Sequence, residues 1–379
     1  MPLVLSEEQE LLQQTARDFV QESAPVAALR KLRDSDDPGG FSRELWKEMA
    51  ELGWPGIVLP EEFGGAGLGY AELGVVQEEL GRTLAASPLF ATAVLGATAV
   101  LLAGSESQQK EVLPAVTRGE RLLALAYQET PRHDPFAIAT RAEPVRDGFR
   151  LSGEKRFVLD GHVADQLVVV ARVSGGPRDR DGLALFLVDA DAPGVARTRT
   201  RMVDSRNAAL VRLDRVLVDA GRALGQPGRA GDVLETLFDR AAIALSAEML
   251  GSAQQVFDKT VAYLRERKQF GVPIGSFQGL KHRAAELFCE IELARSIVLE
   301  ALRAIDTGSP EVPKLASVCK ARLSDAFVRA ANEGVQMHGG IGMTDEEDVG
   351  LYLKRAKAAA LTLGDSAYHR DRYARLEGY

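Results

Sequence analysis

The chain has little cysteine, little histidine, no surplus of positive charge and no long apolar run, and each shortage narrows what its 379 residues can be. The two cysteines, Cys289 and Cys319, stand about thirty residues apart with no metal-ligand spacing around them. That excludes a disulfide framework and a zinc site, and it predicts two reduced thiols in or near a helical core. Lys and Arg number 46 against 54 Asp and Glu, a net charge of −8. No basic excess is therefore available to neutralise nucleic-acid phosphates or to hold an anionic membrane surface. The most apolar stretch, Leu89 to Ala103, is interrupted by Gly96 and too short to span a bilayer. The opening MPLVLSEEQELLQQ has neither a basic region nor a long apolar one, so no signal peptide is expected and the chain reads as cytoplasmic. What is present is ordinary: 46% hydrophobic and 26% charged residues, enough for a large core in two or three domains.

The period of the apolar residues changes twice along the chain. Up to residue 122 it is helical. Ser6 with Gln9 forms a capping box beside a staple at Leu5, and Leu11, Leu12, Thr15, Phe19 and Val20 follow at helical spacing. Further helices are expected over 41–52, 71–81, 89–103 and 106–118, with a Pro/Gly-rich loop from Trp54 to Gly69. Residues 123–228 carry short apolar, partly β-branched runs at 137–143, 149–152, 156–159, 166–172 and 183–188, separated by Gly turns; these suggest a barrel or sandwich. Residues 174–182 read as a solvated loop. From 229 onward the pattern is helical again: one long amphipathic stretch from Asp232 to Gln269 stopped by Gly271 and Pro273, then 279–305, 311–339 and 348–359, and a tail. The expectation is an α+β protein: an N-terminal helical domain (1–122), a middle β-barrel or sandwich (123–228) and a C-terminal four-helix bundle (229–379).

Four segments in this order carry a resemblance. They are Leu52-Gly-Trp-Pro-Gly-Ile-Val-Leu-Pro-Glu-Glu-Phe-Gly-Gly-Ala-Gly-Leu-Gly69, Leu151-Ser-Gly-Glu-Lys-Arg-Phe-Val-Leu-Asp-Gly161 with Ala164-Asp165, Tyr263-Leu-Arg-Glu-Arg-Lys-Gln-Phe-Gly-Val-Pro-Ile274 with Phe277, Gln278 and His282, and Gln336-Met-His-Gly-Gly-Ile-Gly-Met-Thr344. Together, over nearly the whole chain, they resemble the acyl-CoA dehydrogenase family. The resemblance implies bound FAD, an acyl-CoA thioester as substrate, an electron-transfer flavoprotein as acceptor, and an oligomer with shared FAD sites (a homodimer or homotetramer, or a heterotetramer with a related chain). A pyrophosphate needs a cation and backbone donors. The resemblance gives Arg267, Phe270, Gln336, Gly339 and Gly340 to the FAD of a neighbouring subunit. It gives the strand beginning Tyr127-Gln128-Glu129-Thr130, and the strand around Phe157, to the flavin ring. Phe157 stands where the family usually has Trp and Leu159 where it has a hydroxyl, and Thr130-Pro-Arg-His-Asp-Pro135 departs from the usual acidic-glycine-serine pattern. His282 and His338 lie within the signatures and read as structural or interface residues.

Acyl-CoA dehydrogenation removes a proton from the α-carbon and a hydride from the β-carbon, so it needs a general base, ideally a carboxylate in a dry site. The family places a Glu at one of two positions. Counted from Gly339 the first is Leu363, and counted back from Gly271 the second is Ala241, followed by Ala242 where relatives often have Arg. Neither can take a proton. Asp365 is the candidate substitute. Glu248 lies about 10 Å along the helix from Ala241, Asp239 faces away from it, and Glu129 sits near the flavin strand. His369 reads as a surface histidine in a short basic tail. Three readings follow from the resemblance: a dehydrogenase with a displaced base, a base-less subunit of a heteromeric enzyme (in the limit a non-catalytic structural partner), or a flavin-dependent oxygenase or oxidase on the same fold.

Overall fold

The computed structural model describes residues 4–379. In chain order the elements are α1 (Glu7–Ser23), α2 (Val26–Asp34), α3 (Arg43–Glu51), α4 (Tyr70–Arg82), a π-helical segment (Phe90–Ala97) running into α5 (Thr98–Ala103), and α6 (Glu106–Thr117). Eight strands follow: β1 (Leu123–Ala126), β2 (Arg141–Val145), β3 (Gly148–Leu159), β4 (Gln166–Arg172), β5 (Leu183–Asp189), β6 (Val195–Arg201), β7 (Asn207–Asp219) and β8 (Ala223–Gly228). The last part holds α7 (Gly231–Glu266), a hairpin of β9 (Lys268–Gln269) and β10 (Val272–Pro273), α8 (Gln278–Asp306), α9 (Val312–His338), α10 (Val349–Leu361) and α11 (Ser366–Leu376). The chain is an α+β protein with helical, sheet and helical domains in that order.

By compactness it divides into two units. One comprises residues up to 31 with 70–85 and 242–379, the other 32–69 with 86–241, the division falling inside α7. In the second unit the sheet order is β6-β7-β3-β2-β4-β5-β8, with β1 joined in parallel to β4. β3 and β5 are separated by β2 and β4, so in a flat sheet they would lie about 14 Å apart. Yet the Phe149 and Phe186 rings have centroids 5.0 Å apart. The sheet therefore curls around one core, filled by Leu151, Val158, Leu167, Val169, Phe186, Val211 and Val216 among others. The stretches read separately as 149–152 and 156–159 are one strand with bulges at 151/153 and 155/158.

In the first unit α9 is central and packs against α8, α10 and α11. Its buried positions, Ala316, Cys319, Leu323, Phe327, Ala330 and Gly334, step by three and four residues down one long face. α4 and α7 approach so closely that a Cβ on Gly251 would lie 1.8 Å from the Glu78 carbonyl oxygen, which leaves room there for glycine only. The predicted N-terminal capping box is formed: the Gln9 amide donates to Ser6 Oγ at 3.2 Å and the Ser6 amide donates to Gln9 Oε1 at 3.0 Å.

Several expectations need correcting. Cys319 is buried but Cys289 is exposed on α8, outside the core. The long helix ends at Glu266, before Gly271, because the chain turns into the β9–β10 hairpin. The tail is helical, as α11. Its His369 is buried (3% exposed) rather than a surface residue, because α11 packs on α9. Residues 127–130 are irregular, since β1 stops at Ala126.

Candidate functional site

The two C-terminal signatures, some seventy residues apart in sequence, meet in space. Tyr263, in the last turn of α7, stacks on His338, the last residue of α9, with centroids 4.4 Å apart and an interplanar angle of 25°. His338 is buried and its Nδ1 donates to the Gly334 carbonyl at 2.7 Å, which fixes the ring against the helix end. His282, by contrast, is exposed.

Beyond Tyr263 the chain leaves α7 at Arg267. The Arg267 amide still donates to Tyr263 O (2.9 Å) while its carbonyl accepts from Ile274 N (2.8 Å), closing the hairpin. The hairpin turns on Phe270 (φ 54°) and Gly271 (φ 82°). Two consecutive left-handed residues are what a two-residue turn of matching twist requires. The Phe270 ring, 92% exposed, is thereby held out at the tip. Arg267 is exposed too, and among the described residues no carboxylate pairs with its guanidinium.

After His338 the chain turns at Gly339 (φ 64°) into a short 3₁₀ segment, Gly339–Met343. Gln336, Gly339 and Gly340 are exposed, and a Cβ on either glycine would meet nothing within 4 Å. This end of the unit therefore presents an uncompensated guanidinium, an amide side chain and an open stretch of bare backbone. That donor set fits a pyrophosphate. Arg267, Gln336, Gly339 and Gly340 are the residues that would hold one, with the Phe270 ring beside them.

In the other unit the irregular segment after β1 lies against the bulge of β3. The Arg156 amide donates to the Gln128 carbonyl at 2.7 Å, and Lys155 Nζ donates to the Tyr127 carbonyl at 3.3 Å. Phe157 sits on the bulge itself, with φ 51° and a ring 43% exposed, a flat apolar surface facing outward. Thr130 is half-buried and its hydroxyl donates to the Arg132 carbonyl. The Tyr127 ring turns inward instead, 4.7 Å from the Phe238 ring, with its hydroxyl 3.0 Å from His133 Nδ1. Leu159 lines a small cavity of about 20 Å³ with Phe41, Phe90, Ala91, Arg206 and Asn207. Tyr127, Thr130 and Phe157 are thus brought together around one bulge, with Phe157 offering the exposed face.

The carboxylates are each engaged. Asp365 is the N-cap of α11: its Oδ1 accepts from the Tyr368 amide at 2.8 Å. It also borders a groove of about 640 Å³ with Arg329, Asn332 and Lys357. Glu248 is buried against Arg355 (3.3 Å), and Asp239 is buried. Glu129 is ion-paired to the fully buried Lys155 at 2.6 Å. Burial alone would raise the Glu129 carboxyl, but the Lys155 ammonium and hydrogen bonds from Thr140 and Ala139 outweigh it and hold it below the usual range. That is the wrong direction for a general base. Leu363 (φ 58°) and Ala241 are both buried.

Two buried groups lie beside Leu363: Lys320, which the sequence did not single out, and His369, expected at the surface. Lys320 is buried, and its ammonium donates to Ser324 Oγ (3.1 Å), Ala360 O (3.1 Å) and Gly364 O (2.9 Å). Burial pushes it down to about 7, against the pull of Asp365. His369 Nε2 donates to the Leu363 carbonyl at 2.9 Å. A lysine within a helical apolar run is the only local signal for either. Among the described residues no cluster of His, Cys, Asp or Glu could hold a metal, and no helix is long and apolar enough to cross a membrane.

Known proteins complete the picture. The family models for the acyl-CoA dehydrogenase N-terminal, middle and C-terminal domains match residues 6–120, 125–216 and 230–376. A probable acyl-CoA dehydrogenase of Bacillus subtilis, YngJ, is 33% identical over 98% of both chains. A solved variant of the Tcur3481–Tcur3483 steroid ACAD is 36% identical over 98% of both chains, with a TM-score of 0.88. A chain of the ChsE4–ChsE5 complex from Mycobacterium tuberculosis is 27% identical over the full length of both, also at 0.88. Matched from end to end in sequence and in fold, the chain belongs to the acyl-CoA dehydrogenase family of FAD-dependent oxidoreductases.

Proposed function

We propose that this chain is the base-less subunit of a heteromeric acyl-CoA dehydrogenase, and that it completes the FAD site of a related chain that carries the catalytic Glu. The observation that carries this reading is the state of the carboxylates. The two positions where the family places its base hold Leu363 and Ala241, both buried, and Asp365 is engaged as a helix cap. FAD, when bound, supplies the two-electron acceptor for the hydride leaving the β-carbon. The chain's own contribution is binding and orientation: Arg267 and the amides at Gly339 and Gly340 hold phosphate oxygens, Gln336 hydrogen-bonds, and the projecting Phe270 packs against the cofactor of the neighbour. The α-proton then goes to the carboxylate of the partner chain. The resemblance to the ChsE4–ChsE5 complex and to the Tcur3481–Tcur3483 steroid ACAD supports the mixed assembly, and the second also supports a bulky, ring-bearing acyl thioester as substrate. An electron-transfer flavoprotein is the proposed acceptor, and the cytoplasm the proposed location.

The test is the flavin content of the protein made alone and made together with a base-bearing relative, followed by anaerobic addition of acyl-CoA thioesters that include ring-bearing ones. The proposal expects partial flavin alone, full flavin in the mixed assembly, and bleaching only there. Full flavin in the lone chain that a thioester bleaches would overturn it, and would send the search for a base back to Asp365.

A further inference from the structure

Residues 127–140 join β1 to β2 without a helix or strand of their own, so their backbone polar groups need other partners. They find them in two buried cations and one carboxylate. Lys155 Nζ donates to the Tyr127 carbonyl (3.3 Å) and to Glu129 Oε1 (2.6 Å). Glu129 accepts the Ala139 amide on Oε2 (2.6 Å) and the Thr140 amide on Oε1 (3.0 Å). Arg172 is 1% exposed and donates to the Phe136 and Ile138 carbonyls, each at 3.1 Å. Glu129 thus ties the start of the segment, one residue before Thr130, to its end, and Lys155 ties both to the strand two residues before Phe157.

We infer that Glu129 and Lys155 are positioning residues for the flavin ring: their buried ion pair sets the irregular segment that carries Thr130 against the bulge that carries Phe157. The inference rests on the assignment of these residues to the flavin. Stability alone is a poor reason for such a pair. A fully buried ammonium with a nearly buried carboxylate gains little over apolar side chains of the same volume, because desolvation offsets the Coulombic attraction. A charged, doubly hydrogen-bonded carboxylate does fix one geometry, because only one arrangement satisfies the two amides and the ammonium together. The bulge needs such fixing. Phe157 has a left-handed φ, which costs a bulky residue free energy and persists only where its surroundings enforce it.

The experiment measures FAD affinity by titration, the visible circular dichroism of the bound flavin, and the melting temperature of the FAD-free protein. It uses the assembly in which the wild type retains FAD. The variants are Glu129→Gln, Lys155→Met and Lys155→Arg. Glu129→Gln removes the charge, keeps one of the two acceptor oxygens and sets an NH2 against the other donor, so it breaks the charged, doubly bonded arrangement and tests the pair even if Lys155→Met does not fold. The expected result is at least a tenfold loss of FAD affinity and a changed flavin dichroism in Glu129→Gln and Lys155→Met, with recovery in Lys155→Arg. Variants that melt lower but bind FAD with wild-type affinity and dichroism would overturn the inference and leave the flavin assignment standing. A wild type that binds no FAD in any assembly would overturn both.

Discussion

The ring of Tyr263 lies 4.4 Å from that of His338 and within 25° of parallel to it, and beside the close approach of Gly334 to Val256 and Thr260 this contact joins the ends of α7 and α9. It puts Arg267, four residues beyond the tyrosine, and Gly339, next to the histidine, at the same end of their unit. An aromatic pair of this kind contributes about 0.5–1.5 kcal/mol beyond its buried area. Its greater consequence is geometric, because the proposed phosphate-binding set draws on both signatures and is incomplete without either. Tyr263→Leu should therefore lower the melting temperature slightly and weaken FAD binding severalfold, although the tyrosine need not touch the cofactor. Equal FAD affinity in the two proteins would show that the stack does not organise this end.

Arg267→Ala should leave folding untouched, since the side chain is exposed and ion-paired to nothing among the described residues. FAD affinity should fall about tenfold to a hundredfold, the loss of a charge-assisted hydrogen bond worth roughly 1.5–3 kcal/mol. Arg267→Lys should recover part of it, as a point charge without the planar fork. Equilibrium titration with FAD, beside a melting curve of the FAD-free protein, separates binding from stability.

Asp365 invites a pair of substitutions. Asparagine caps a helix about as well as aspartate, whereas alanine costs about 1 kcal/mol. Asp365→Asn should thus be neutral and Asp365→Ala mildly destabilising, and in the base-less reading neither should change turnover in the mixed assembly. A hundredfold fall in turnover with Asp365→Asn, flavin retained, would make Asp365 the base.

His369 predicts an acid sensitivity with a definite sign. Burial, then the nearby Lys320 and Arg372, push its imidazole from 6.5 down to about 3, partly offset by its hydrogen bond to Leu363 O and by Asp365. Below 6.5 the unfolded chain takes up a proton that the folded chain refuses, so this group lowers stability as pH falls from about 6.5 toward 3. The slope is at most about 1.4 kcal/mol per unit. Its Nδ1, buried without a partner among the described residues, gives an added proton no acceptor. His369→Gln can keep a donor to Leu363 O and should flatten the dependence. Parallel denaturant unfolding of both proteins at several pH values from 7 to 4 checks this; equal slopes would remove His369 as the cause.

Gly251→Ala should destabilise the first unit by a few kcal/mol. The new methyl would fall 1.8 Å from the Glu78 carbonyl, a rigid backbone atom that can yield only if α4 and α7 separate. Unchanged unfolding of this variant would mean that the two helices can part at little cost.

Much of the fold was legible in local patterns. α8 (Gln278–Asp306) and α9 (Val312–His338) fall within a residue of their expected ranges, and β4 coincides with its own, because long periodic or continuous apolar runs admit one reading. β6 did not show itself. Its Arg-Thr alternation, Arg197 to Arg201, has no apolar face, and it is a strand because β7 offers it a hydrogen-bonding edge. α11 was read as a basic tail for a similar reason: its buried side chain is a histidine.

The candidate site divides the same way. The glycines, Arg267 and the residues Leu363 and Ala241, at positions that the resemblance to the family singles out, are properties of the sequence by itself, because each is read within one segment. The Tyr263–His338 stack, the Glu129–Lys155 pair and the burial of Lys320 and His369 were decided by the tertiary structure alone. Each depends on which distant backbone atoms and charges surround a side chain, and on how far water is excluded from it. Those quantities come into being only when separate segments of the chain pack together.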